Sequence, residues 1–203
     1  MALRPARGTP WWIALAWLPP FLLRRRPVLR VGALGLAGAV TAFFRDPERR
    51  PAGDGFLAPA DGLVRKVELR DGRWFVSTYL ALYNVHVTRV PVAARVLTQR
   101  HVEGEHKLAF ADDAHVNERL EWTLATPHGE LEMVEFSGAA ARRIMPYVGP
   151  GASVVRGERV SLIRFGSRVD LLLPEGVEPA VAEGVRVRAG ETVIATVAGS
   201  ATA

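Results

Sequence analysis

Cysteine is missing from the 203-residue chain. Its absence removes disulfides, thiolate zinc sites, iron–sulfur clusters and cysteine nucleophiles together. Lysine is nearly missing too, with only Lys66 and Lys107. Lys66 lies inside a strand-like run and Lys107 in a stretch without a hairpin pattern. Neither suits a carrier-domain lysine, and a lysine Schiff base to pyridoxal phosphate finds little support. The five histidines (86, 101, 106, 115 and 128) show no His-Glu-x-x-His spacing, so no metal site is expected. There is no Gly-rich phosphate loop, no nucleotide-binding βαβ pattern and no heptad repeat. No apolar run reaches the ~20 residues of a straight membrane-crossing helix.

Charge is present but lopsided. In residues 1–50, nine arginines (4, 7, 24, 25, 26, 30, 45, 49 and 50) face only Asp46 and Glu48, a net of +7. The rest of the chain carries −2 of the total +5. The basic part is also the most apolar part, which points away from nucleic acid and toward an anionic membrane surface. Two apolar runs lie there, Pro10 to Leu23 with Trp11, Trp12 and Trp17, and Val31 to Phe44. Arg24, Arg25, Arg26 and Arg30 sit between them. Pro19 and Pro20 should break the first helix near its end. The second run ends in Phe43-Phe44-Arg45-Asp46-Pro47, which is no signal-peptide cleavage site. The pattern reads as an interfacial or re-entrant helical pair over residues 1–45, with Trp at headgroup level and Arg on phosphates.

From residue 46 to 203 the texture is that of short strands at roughly 8–12-residue spacing, which predicts a mainly β domain, an antiparallel sandwich or barrel. Leu63–Leu69 and Arg73–Tyr79 flank Asp71-Gly72, a hairpin signal. Arg119–Thr126 and Glu130–Phe136 flank a second turn, and Val160–Phe165 and Arg168–Leu173 flank Gly166-Ser167. The tail carries two short strands around Ala189-Gly190. Ser137–Ile144 is the one helix expected here.

Few residues in this part stand out chemically. His86 lies in the alternating run Asn84-Val85-His86-Val87-Thr88-Arg89-Val90, as either a satisfied sheet residue or a proton-transfer group. Asp61 sits in Ala58-Pro59-Ala60-Asp61-Gly62, where an aspartate ordinarily bonds nearby amides. Arg164 and Arg168 bracket Gly166-Ser167 in an otherwise apolar stretch. His101, His106 and His128 read as solvated loop residues.

Taken in order, Phe44-Arg45-Asp46-Pro47-Glu48-Arg49, Ala58-Pro59-Ala60-Asp61-Gly62, Asn84-Val85-His86-Val87 with Arg89-Val90-Pro91, Asn117-Glu118-Arg119, and Ile163-Arg164-Phe165-Gly166-Ser167-Arg168-Val169-Asp170 resemble the phosphatidylserine decarboxylase proenzymes of the short prokaryotic type. The resemblance runs from Phe44 to about Ala195, and the block around Gly166-Ser167 is its specific element. It implies a self-processing precursor. Ser167 Oγ attacks the Gly166 carbonyl, the resulting ester eliminates, and hydrolysis leaves a pyruvoyl group at position 167 and ammonia. The products are a β chain of residues 1–166 and an α chain of residues 167–203, held as a heterodimer, with room for a higher oligomer. The resemblance further implies decarboxylation of phosphatidylserine to phosphatidylethanolamine through a Schiff base to the pyruvoyl group. The location it implies is the cytoplasmic face of the cell membrane. Ser167 matches the pyruvoyl-forming serine, Asp61 the aspartate of self-processing, and His86 the histidine of decarboxylation. A second histidine of longer members falls on Arg89, so an Asp–His–Ser relay is not intact and His86 is left to serve both steps or another group to activate Ser167. Ser161 stands where related sequences often have Gly, and no functional consequence is expected. The alternatives are a pyruvoyl decarboxylase of a soluble amino acid and a non-enzymatic membrane-tethered β module.

Overall fold

The computed structural model describes residues 4–104, 116–138, 143–164 and 167–199. The chain divides into two compact units, residues 1–47 and 48–203.

In the first unit, strand β1 (Arg4–Pro5) pairs antiparallel with β2 (Arg45–Asp46). Between them come a 3₁₀ helix (Trp11–Trp17), α1 (Leu18–Leu22) and α2 (Pro27–Phe43). Pro19 and Pro20 occupy the first turn of α1 instead of ending a helix. That turn has no intrahelical partner for their missing N–H groups, so proline is tolerated there. Pro27 opens α2 in the same way. Trp17 Nε1 donates to Thr41 Oγ1 at 3.1 Å, joining the 3₁₀ helix to α2. No described helix is long and apolar enough to cross a membrane.

The second unit is mainly β and antiparallel. Its strands are β3 (Phe56–Leu57), β4 (Gly62–Arg70), β5 (Arg73–Leu80), β6 (Val87–Arg89), β7 (Ala94–Val102), β8 (Arg119–Thr126) and β9 (Gly129–Phe136). They continue as β10 (Ile144–Pro146), β11 (Ser153–Val154), β12 (Arg159–Ile163), β13 (Ser167–Leu172), β14 (Val177–Pro179), β15 (Arg186–Val187) and β16 (Val193–Val197). Eight of them form one sheet in the order β11-β7-β8-β9-β13-β5-β4-β15. Two three-stranded sheets accompany it, β10-β12-β6 and β14-β16-β3.

The two expected hairpins form. Asp71 (φ 47°) and Gly72 (φ 82°) both adopt positive φ, as a two-residue turn between twisted strands requires. Period-two patterning sets the core. Leu120, Trp122 and Leu124 on β8, Leu131 and Met133 on β9, and Val169 and Leu171 on β13 are all buried. Gly62 opens β4 where β5 passes very close: a Cβ there would lie 2.1 Å from the Tyr79 carbonyl oxygen.

Two further expectations need correction. Gly166-Ser167 is not the turn of a hairpin. β12 pairs with β10 and β6, whereas β13 pairs with β5 and β9, so the chain changes sheets there. The two short tail strands expected around Ala189-Gly190 do form, β15 joining β4 and β16 joining β14 and β3. The helix expected over Ser137–Ile144 is not formed at its ends. Ser137 and Gly138 are irregular and Ile144 starts β10, while residues 139–142 lie outside the described residues. Strand β10 needs Ile144 and Met145 opposite Ile163 and Leu162, and that tertiary pairing overrides local helix preference.

Candidate active site

Asp61 is held by two partners. Its Oδ2 accepts from Arg49 Nη2 at 2.8 Å, and its Oδ1 accepts the Ala189 backbone N–H at 2.8 Å. Both side chains of the ion pair are nearly buried, at 9% and 10% exposure. Arg49 also reaches Glu191 at 3.3 Å. The turn that carries Asp61 is tied to β6, because the Arg89 N–H donates to the Pro59 carbonyl at 2.8 Å.

His86 is fully buried, immediately before β6. Its Nδ1 lies 3.0 Å from the Asn84 carbonyl oxygen. A carbonyl only accepts, so Nδ1 carries the proton in the neutral ring and Nε2 is the basic nitrogen. The His86 carbonyl accepts the Ile163 N–H at 3.0 Å, which extends the β6–β12 ladder to the last residue of β12. His86 therefore sits beside the strand end that leads to Gly166-Ser167.

Ser167 starts β13, with Leu80 as its register partner on β5. One residue on, Arg168 is paired on both sides, with Tyr79 and Phe136. Gly166, with Phe165, lies outside the described residues.

Arg89, at the position of the missing second histidine, is buried and donates from Nη1 to the Gly157 carbonyl at 3.0 Å. Its stem crosses Gly190, where a Cβ would lie 2.6 Å from Arg89 Cδ. A guanidinium does not give up its proton in this range, so Arg89 is no base. The two arginines that bracket Gly166-Ser167 diverge. Arg168 stacks on Phe136, 4.2 Å from the ring centre, and meets Asp170 at 3.2 Å. Arg164 Nη2 contacts Met145 Sδ at 2.9 Å, and burial together with neighbouring Arg143 lowers its pKa.

Sequence reasoning missed two buried acids. Asp170 accepts from Ser77 Oγ at 2.6 Å, and burial raises its pKa. Glu135 on β9 is fully buried and bonded by the hydroxyls of Thr88 and Ser161. An acid in an alternating strand carries no sign of its face until the register is known. Of the remaining histidines, His128 lies in the exposed β8–β9 turn as expected, whereas His101, beside Glu118 at 2.8 Å, is exposed but belongs to strand β7 and not to a loop. His106 and His115 lie outside the described residues. Among the described residues no group of three or more His, Asp or Glu is placed to hold a metal ion.

With this geometry in hand, comparison with known proteins is specific. The family model described as phosphatidylserine decarboxylase matches residues 36–195. A phosphatidylserine decarboxylase proenzyme of Thermobifida fusca is 45% identical, with 93% of this chain and 91% of the relative covered. One from Streptomyces coelicolor is 44% identical, with 95% and 92% covered. A putative archaetidylserine decarboxylase proenzyme of Halobacterium salinarum is 42% identical, with 94% and 98% covered.

The Arg49–Asp61 pair makes a direct stability prediction. Arg49→Met should leave Asp61 buried with only the Ala189 amide and cost about 3–5 kcal/mol in urea unfolding. A loss under about 1 kcal/mol, the range of an exposed pair, would show that Arg49 does not hold Asp61.

Proposed function

The chain belongs to the phosphatidylserine decarboxylase family, and from that premise we propose that it cuts itself between Gly166 and Ser167 and converts phosphatidylserine to phosphatidylethanolamine and carbon dioxide. The observation that carries this reading is the sheet change at Gly166-Ser167, with His86 bonded to the end of β12 and position 167 opening β13. A pyruvoyl group derived from Ser167 would take the substrate amine as a Schiff base and accept the electrons released with carbon dioxide.

The chain's own residues fit such a group at position 167. A new chain terminus there would be the first residue of a strand paired to β5 and β9, so its position survives the cut. The α chain, residues 167–203, would stay bound through β13, through β15 on β4 and through β16 on β3. The Asp61 bond to Ala189 would then join the two chains. These contacts support the α–β heterodimer.

Asp61 acts in self-processing by fixing its turn and, through Pro59 and Arg89, the end of β6. His86 is the proton carrier. Its Nε2, basic while Nδ1 faces Asn84, takes the proton from the attacking hydroxyl of Ser167 and later returns a proton to the substrate carbon. With Arg89 excluded as a base, His86 serves both steps.

Residues 1–45 dock the enzyme on its lipid at the cytoplasmic face of the cell membrane. Trp11, Phe21, Leu22 and Val28 are 66–83% exposed, an unusual outlay of large apolar side chains in water. Arg24, Arg25 and Arg26 lie among them, and Arg24 sits over the Phe21 ring at 5.6 Å. Apolar insertion and attraction to anionic headgroups would act together.

Denaturing electrophoresis and intact mass test the processing. The wild type should give two chains and Ser167→Ala one inactive chain. A single uncut wild-type chain that still decarboxylates phosphatidylserine would overturn the mechanism. His86→Ala should lose a factor of ~10²–10⁴ in decarboxylation and should slow its own cleavage. Normal cleavage in that variant would remove His86 from the first step. For docking, replacing Arg24, Arg25 and Arg26 with Glu should weaken flotation with anionic vesicles by at least ~10²-fold, from ~1 kcal/mol per arginine lost. Unchanged flotation would rule this surface out.

A further inference from the structure

Thr88 on β6, Glu135 on β9 and Ser161 on β12 are each completely buried. Thr88 Oγ1 lies 2.8 Å from Glu135 Oε1, and Ser161 Oγ lies 2.7 Å from Oε2. The two hydroxyl oxygens are 2.6 Å apart. These contacts close a ring, and each needs one proton. The hydroxyls own two protons between them. If the carboxyl were ionised, both would point at it, and the 2.6 Å contact would set lone pair against lone pair.

We propose that Glu135 is held as a neutral carboxylic acid whose proton completes this ring, making it a positioning residue for His86. The carboxyl O–H donates to one hydroxyl, that hydroxyl donates to the other, and the second donates back to the remaining carboxyl oxygen. The ring ties β6 and β12, which share one sheet, to β9 of the other. Thr88 stands two residues after His86 along the same extended segment, so a shift of Thr88 carries His86 with it. Ser161 is a working member of the ring, contrary to the expectation that its replacing Gly has no consequence. The link to His86 as proton carrier rests on the proposed function; the protonation of the ring does not.

The surroundings agree. Burial, the largest influence, raises the Glu135 pKa from 4.5 to about 7, opposed by hydrogen bonds from Ser161 and Thr88 and, more weakly, by the nearby Trp122 indole. No charged side chain contributes to the shift. Strand alternation turns Arg119 and Glu121 of β8, and Arg168 and Asp170 of β13, to the other face. Arg89 of β6 is bonded to Gly157, and Arg159 of β12 to Glu48 at 3.1 Å. On Glu135's own face, His101 of β7 stands across Leu120 and is bonded to Glu118 at 2.8 Å, and His86 stands two residues before Thr88.

The sign follows from the raised pKa. Between pH 4.5 and about 7 the unfolded chain releases this proton while the folded chain keeps it. Stability therefore falls as pH rises through that window and levels off above it. Glutamine can replace the neutral acid in the ring, since its amide N–H donates and its carbonyl accepts.

The test compares wild type with Glu135→Gln, full-length and self-cleaved, by thermal unfolding from pH 5 to pH 8. The melting temperature of Glu135→Gln relative to wild type should rise with pH, by roughly 5–10 °C across the range. The difference cancels Asp170 and every other group that the two proteins share. Wild-type decarboxylation should also show an alkaline fall near pH 7 in kcat, which Glu135→Gln moves upward. Glu135→Ala should lower kcat with little change in KM, and Gln should restore it. A melting-temperature gap that stays constant with pH, with glutamine the less stable, would show an ionised Glu135 and overturn the ring. An unchanged kcat profile beside a pH-dependent gap would overturn the positioning of His86. A wild type that unfolds as expected but never decarboxylates phosphatidylserine would count against the proposed function and leave the protonated ring standing.

Discussion

Strand β13 is hydrogen-bonded on both flanks, to β9 and to β5, and the rest of the site depends on that double ladder. The chain reaches β13 from β12, which belongs to another sheet. A strand fixed on two sides gives the sheet change a rigid far end, and the His86–Ile163 bond gives it a rigid near end. The described residues on either side of the proposed cleavage bond are thereby each held by a ladder. The same pairing would let the fold tolerate the proposed cut. A cut before Ser167 would leave β13 whole, and the fragment that follows would remain paired through β13, β15 and β16.

Two buried acids behave differently because their partners differ. Asp61 faces a guanidinium and a backbone amide, both of which supply protons to an ionised carboxylate. Glu135 faces two hydroxyls that also need one another, which leaves the set one proton short unless the acid keeps its own. Burial alone would penalise both charges. What sets Glu135 apart is the contact between the two hydroxyls, which an ionised carboxylate would leave without a proton.

The two units spend their apolar residues in opposite ways. The β unit hides Phe56, Leu57, Leu80, Trp122, Leu131 and Met133 almost completely. The helical unit leaves Trp11, Phe21, Leu22, Val28 and Val31 largely uncovered. Arg24 lies over the Phe21 ring at 5.6 Å, yet Phe21 stays 66% exposed. That contrast is the support for the proposed docking of the N-terminal segment on lipid.

The hairpins at Asp71-Gly72 and Pro127-His128-Gly129 were legible from sequence because their turn chemistry and strand alternation are local. The apolar, arginine-rich character of residues 1–45 was legible for the same reason. Ser167, Gly166, His86 and Asp61 were legible only as members of a motif set, since each taken singly reads as an ordinary turn or sheet residue. Local pattern could not tell that the strands flanking Gly166-Ser167 enter different sheets, because partner choice depends on segments far away in the chain. It misplaced Pro19 and Pro20, which mark a helix boundary without saying which side of it they occupy. It assigned nothing to Glu135 and dismissed Ser161, because their meaning lies in which side chains from β6, β9 and β12 converge. Composition and spacing determined the elements and the chemical vocabulary. Only tertiary structure decided the protonation of Glu135, the ion pair that holds Asp61 and the tautomer of His86, because each follows from atoms that distant strands bring within hydrogen-bond reach.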